Sequence, residues 1–257
     1  MKTTRPRGPD LRRARSLLAR VKLHRTVAAR VEALSALLVG APYEANGLVG
    51  SVEMPEVFVA PLDRFDCVTY VESVYALARA ADPADFAEEL RRIRYDGGAV
   101  EWTRRNHYMT DWVRRNTKAG VVRPVAAEGL ATRKEKVLNV VPGLPAKSVR
   151  LYPVPKAKLK AFAPRLKNGD LLLFASTKGG LDVFHCGLLV LSGGVLKLRH
   201  ASRSADRVVE EDLAAFLRAN RTAGLIAVRP LEKTEGLESS RVERTAHRPA
   251  ATPKGAA

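Results

Sequence analysis

Cysteine is scarce in this chain. There are two among 257 residues, Cys67 and Cys186, so no disulfide framework is indicated, and pairing them would consume any thiol nucleophile. Long apolar runs are also missing, which excludes a membrane-spanning helix. The first twenty residues are basic, and their only apolar run, Ser16-Leu17-Leu18-Ala19, is too short for a secretory signal. The expected compartment is therefore the cytoplasm, or the periplasm or cell envelope if the start site is misassigned. Acidic residues are outnumbered, 27 against 44 Lys and Arg. No internal repeat is visible.

What is present is enough for a real core, with 46% hydrophobic residues. The positive charge is uneven. Residues 1–30 carry ten Lys/Arg against one acid, and residues 123–168 carry eleven against two. Such segments attract nucleic acid or an anionic wall polymer, but a solubilising Arg-rich face is the plainer reading. Nucleic acid is not the expected partner.

Residues 1–10 read as a disordered basic arm and 232–257 as a disordered tail, leaving 11–231 as one domain. Leu11–Leu38 reads as two helices with a break near Lys22–Arg25. Helix is expected over Asp66–Ala81 and Pro83–Arg94, with a helical turn over Asp111–Asn116. Arg94–Thr110 is a loop carrying Trp102, Arg105, Asn106, His107 and Tyr108. From Leu171 the pattern becomes β, with strands over Leu171–Ala175, Val183–Leu191, Val195–Ala201 and Leu225–Arg229. Two earlier segments, Val137–Val141 and Val149–Tyr152, are weaker strand candidates, and Glu211–Arg218 reads as a short helix. Ser192-Gly193-Gly194 reads as a tight hairpin.

The chemistry centres on Phe65-Asp66-Cys67-Val68-Thr69-Tyr70-Val71-Glu72. Asp66 is a good N-cap, which puts Cys67 at the first helical position. A thiol there feels the positive helix end and unpaired amides, and both favour the thiolate. On position alone a small buried cysteine starting a core helix is the commoner case, because free cysteine is among the most buried residue types. A thiol nucleophile needs a base, and the base needs an orienter. A hairpin turning at Gly193 sets His185 opposite residues near 200–202, so two imidazoles, His185 and His200, become neighbours. His185 is then the base and His200 holds its tautomer. Asp182 is a rival orienter, but in a regular strand it points away from His185. Cys186 does too, and reads as a core thiol.

Five pieces then fall in one order: Pro42-Tyr43, Asp66-Cys67, Gly169-Asp170-Leu171, His185-Cys186-Gly187 and His200-Ala201-Ser202. Together they resemble the NlpC-type papain-like cell-wall peptidases. Arg105-Asn106-His107-Tyr108 with Asp111-Trp112, and Leu181-Asp182-Val183-Phe184-His185, are similar to one enlarged branch, the N-acetylmuramoyl-L-alanine amidase-like family. The resemblance spans about Leu34 to Pro230. It departs from the superfamily in having Val68-Thr69 after the cysteine, as the branch does, and in a longer spacing between the histidines.

The resemblance implies an α+β, papain-like fold. A helix carrying Cys67 packs on a mostly antiparallel sheet, with extra N-terminal helices. It implies catalysis by Cys67, His185 and His200, substrate contacts at Tyr43, Asp66, Asn106 and His107, and no metal or cofactor. The expected substrate is a peptidoglycan fragment, a muropeptide, cut between N-acetylmuramic acid and L-alanine through a thioester. A stem-peptide endopeptidase, an acyltransferase on the same fold, and a non-catalytic basic polymer-binding protein are the alternatives. Oligomeric state is left open.

Overall fold

The structure, a computed structural model, describes residues 8–233. The basic arm and the tail expected at the two ends lie mostly outside the described residues. Two helices, α1 (Leu11–Arg20) and α2 (Val27–Leu37), open the chain. Each is capped from its N-cap side chain: Asp10 accepts from the Arg13 amide and Thr26 from the Ala29 amide. Helix α3 (Cys67–Arg79) follows a long connection, and α4 (Pro83–Arg94) starts with proline at its first turn, behind the Asp82 cap.

The segment read as a single helical turn is a ten-residue helix, α5 (Met109–Lys118). The reason lies far away in sequence. No Tyr108 side-chain bond caps its start. The Asp182 carboxylate instead accepts from the Thr110 amide at 2.7 Å and its hydroxyl at 2.8 Å. Asp182, weighed earlier as an orienter for His185, is spent on this cap.

Three strands come next, β1 (Val122–Pro124), β2 (Lys134–Leu138) and β3 (Lys147–Leu151). The last two form a separate antiparallel hairpin, each lying a few residues before the expected segment. After the short α6 (Leu159–Phe162) come β4 (Leu171–Ala175), β5 (Val183–Ser192), β6 (Val195–Ser202) and β7 (Arg207–Asp212). Helix α7 (Leu213–Ala219) and β8 (Gly224–Pro230) close the described chain. The main sheet has the order β1-β8-β4-β5-β6-β7, and its pairings are antiparallel. Strands β1 and β7 were not anticipated. Glu211, read as the start of a helix, lies in β7; Asp212 caps α7 by accepting from the Ala215 amide.

The central strand explains why β4 reads as an unbroken apolar run. Leu171 and Leu173 belong to the core cluster containing α1–α4 residues, while Leu172 and Phe174 belong to a second cluster with Phe162 and Phe216. With both faces covered, no polar alternation is needed. Helix α3 lies in the first cluster and is almost wholly buried from Thr69 to Ala78. It is pinned to α4 by a buried ion pair, Arg94 Nε to Glu72 Oε2 at 2.7 Å; Arg94 also donates to the Val59 carbonyl at 2.6 Å. Tyr75 donates to the Gly169 carbonyl at 3.0 Å, tying α3 to the entry of β4. Asp170, fully buried, accepts from Arg229 of β8 through both oxygens. The Gly-Asp-Leu piece thus anchors the sheet rather than touching the chemistry.

Candidate active site

Asp66 stands in extended backbone before α3, and Cys67 is the first residue of the helix. One Asp66 oxygen accepts from the amides of Val68 (3.0 Å) and Thr69 (2.7 Å). The Thr69 hydroxyl accepts from the Asp66 amide at 2.9 Å, completing a capping box. Asp66 was expected among the substrate contacts; its visible work is this cap. Burial, and then the neighbouring Cys67 charge, push its carboxyl up.

The hairpin of β5 and β6 closes on Gly193-Gly194, both at positive φ, as a tight two-residue turn requires. Its register, Leu188 opposite Arg199 through Ser192 opposite Val195, agrees with the expected pairing. Carried to Gly187, it sets that residue beside His200: a Cβ built on Gly187 would lie 2.7 Å from His200 Cβ and 3.0 Å from the Arg199 carbonyl. Only glycine lets the two strands approach this closely. The approach places His185 Nε2 2.7 Å from His200 Nδ1, with the rings edge to face. Phe216 of α7 lies against both imidazoles.

Sequence reasoning missed the next partner. His200 Nε2 lies 2.7 Å from Glu211 Oε1. A carboxylate only accepts, so His200 carries its proton on Nε2 and presents Nδ1 as an acceptor. His185 must then donate from Nε2, which leaves its Nδ1 as the basic nitrogen. His200 is held neutral: burial first, then the charge of His185, lower its pKa, against the pull of Glu211. Period-two alternation in β7 was the available signal, since Val209 opposite His200 puts Glu211 on the same face.

Cys67 receives this arrangement. It is partly exposed. The neighbouring Cys186 side chain, and then His185 with its charge, hold its thiol well below the ordinary thiol range; burial opposes them. Tyr43 is brought alongside by backbone bonds. Phe65 N donates to the Pro42 carbonyl (3.0 Å), Glu44 N to the Phe65 carbonyl (2.9 Å), and Tyr43 N to the Asp206 carbonyl (3.0 Å). Residues 40–43 thereby run along β7, with Gly40 N donating to Val208 O and Val208 N to Ala41 O. Burial and the charges of Cys67 and Asp66 push the Tyr43 phenol up.

Asn106 and His107 are engaged elsewhere. The Asn106 amide donates to the Ile93 carbonyl at 3.0 Å and accepts from Arg115 at 2.8 Å. His107 Nε2 lies 2.7 Å from the Trp102 carbonyl and its ring packs edge-on against Trp102. Both pin the loop before α5 to its neighbours, the structural alternative to lining a pocket. A groove of about 1040 Å³, lined by Met109, Val113, Leu173, Val183, Ile226 and others, shares strand β5 with the centre through Val183. Neither Cys67 nor His185 lines it, so its size says nothing about where the chemistry lies. Among the described residues no cluster of three or more His, Cys, Asp or Glu could hold a metal ion, and no helix is long and apolar enough to cross a membrane.

The sequence pattern of the N-acetylmuramoyl-L-alanine amidase-like family matches residues 33–225. A solved N-acetylmuramoyl-L-alanine amidase from Bacteroides uniformis is 26% identical, with a TM-score of 0.71 over 79% of this chain and 99% of its own. A Bacteroides fragilis structure provisionally described as a xylanase is 27% identical, with a TM-score of 0.68 over 76% of this chain and 98% of its own. A Legionella pneumophila protein, 22% identical, shares the fold with a TM-score of 0.76, covering 86% and 94%. No curated protein matches the chain.

Proposed function

Because the chain belongs to the N-acetylmuramoyl-L-alanine amidase-like family, we propose that it is a cysteine-dependent amidase of peptidoglycan fragments, on a papain-like fold of the NlpC type. The observation that carries the proposal is the ordered chain Glu211–His200–His185 directed at a thiol on the first residue of a helix.

In this reading Cys67 loses its proton to His185 Nδ1 and its sulfur attacks the amide carbonyl carbon. The cap on α3 does not use the Cys67 amide, which is placed to donate to the developing oxyanion. The imidazolium of His185 then gives its proton to the leaving amine, the C–N bond breaks, and a thioester remains on Cys67. Water, deprotonated by His185, attacks the thioester; the C–S bond breaks and the thiolate returns. His200 and Glu211 hold the tautomer throughout. Tyr43 borders the nucleophile and is placed to hydrogen-bond the substrate.

The bond we assign is that between the lactyl group of N-acetylmuramic acid and L-alanine. The choice rests on the family. Asn106 and His107 lend it nothing, since their bonds lie inside the fold. Digestion of muramyl-tripeptide followed by mass spectrometry tests it. Free tripeptide plus N-acetylmuramic acid is the expected result, abolished in Cys67→Ala. Muramyl-dipeptide plus a free diamino acid refutes the bond assignment and favours stem-peptide cleavage. Wild-type turnover in Cys67→Ala refutes the mechanism outright.

A further inference from the structure

The sequence reading treated Cys186 as a core thiol facing away from His185. It is buried, 1% exposed, in the core cluster against which Cys67 packs. Alternation along β5 does turn it away from its neighbour His185. The N-terminus of α3 meets this strand, however, and Cys67 touches both residues. Cys186 Sγ donates to the Cys67 backbone carbonyl at 3.2 Å.

We propose that Cys186 is a positioning residue for the amidase reaction, its S–H holding the first carbonyl of α3, and with it the Cys67 side chain, in line with His185 before substrate arrives. The proposal rests on the reading of Cys67 as nucleophile. The protons are accounted for: the Cys67 proton goes to His185, and Cys186 keeps its own. A thiol beside a negative sulfur resists ionisation, and the Cys67 side chain, then burial, push Cys186 well above the ordinary thiol range. It therefore remains a donor where Cys67 is an acceptor. The two residues either side are fixed as well, His185 by His200 and Gly187 by the close approach of β6. Cys186 thus has little freedom to turn elsewhere.

A space-filling role and a donor role predict opposite orders for two substitutions. Alanine suits the apolar surroundings but donates nothing. Serine brings a polar hydroxyl into the core but keeps a donor of similar size. Iodoacetamide labelling of Cys67 is followed against pH in the full chain by peptide mapping, with thermal unfolding and muramyl-tripeptide turnover alongside. Cys186→Ala is expected to raise the labelling midpoint by about one pH unit, so that labelling below it falls about tenfold. Cys186→Ser holds the midpoint close to wild type while melting lower than Cys186→Ala. Cys186→Val fills the space without a donor and is expected to follow alanine in labelling. A midpoint unchanged in Ala and Val, or raised as much in Ser as in Ala, overturns the proposal while leaving the nucleophile reading intact. Full turnover in Cys67→Ala sinks that reading, and the proposal with it.

Discussion

Gly187→Ala puts a single methyl group between two strands, and the structure fixes what it meets. The new carbon starts 2.7 Å from His200 Cβ, 2.8 Å from Leu198 Cδ1 and 3.0 Å from the Arg199 carbonyl oxygen. Leu198 can swing its methyl aside. The other two atoms move only if β6 moves. Carbon atoms rest about 3.5–4.0 Å apart, so β6 must retreat by about 1 Å at this point. Strand β6 is laddered to β5 on one side and β7 on the other, so the displacement is resisted and costs about 1–3 kcal/mol, as overpacking does. The same shift stretches the 2.7 Å contact between His185 and His200 to about 3.7 Å, past the range of a hydrogen bond. A misplacement of about 1 Å costs about 100-fold in rate. Expected, then, are a modest fall in melting temperature and a large fall in kcat, with KM nearly unchanged. Thermal unfolding and steady-state turnover on the same preparation check both. A variant that melts lower but turns over within about threefold of wild type, well inside the loss such a misplacement brings, refutes the claim that close strand approach sets the imidazole pair.

Glu211→Gln lets the side chain donate to His200, which frees the wrong tautomer. kcat is expected to fall at least about tenfold, with the 10²–10⁴ that acid–base catalysis supplies as the ceiling, and little change in KM; wild-type kcat in this variant rejects the relay. The pH dependence of stability follows from His200, whose folded pKa lies below its ordinary value because of burial and the His185 charge. A depressed folded pKa favours the neutral form in the fold. Its contribution is complete above the unfolded value of about 6.5 and is lost as pH falls through the folded one. The melting temperature of wild type relative to His200→Gln is therefore expected to drop as pH falls below about 6.5, and a constant difference across that window contradicts the assignment.

The parts legible in sequence were those set by local chemistry. Asp66 before a helix-patterned run gives the cap and the place of Cys67. Alternation and a Gly-Gly turn give the β5–β6 register and bring His185 to His200. What stayed hidden depends on partners remote in sequence. Helix α5 is longer than its own residues suggest because Asp182, 72 positions away from Thr110, caps it. The end of strand β7 reads as a helix start because Glu211 is a good helix former, and only pairing with β6 overrides it. Alternation turns Cys186 away from His185, but nothing in the sequence says which helix end lies on that side. For Asn106 and His107, the family resemblance implied substrate contact, and the carbonyls of Ile93 and Trp102 that they bond are invisible until the chain is folded.

The run of residues 40–43 along β7 bears on more than the placing of Tyr43. Strand β7 is the last in its sheet, and a bare last strand is a template for another chain to pair with and aggregate. Gly40, Ala41 and Tyr43 spend backbone groups on Val208 and Asp206, and Pro42, which has no amide to offer, sits opposite Arg207. At the other end β1 is three residues long and finishes in Pro124, which blunts that edge too. The segment that delivers Tyr43 to the thiol is therefore also a guard against intermolecular sheet growth. Loosening it is expected to compromise solubility together with the placing of Tyr43 beside Cys67.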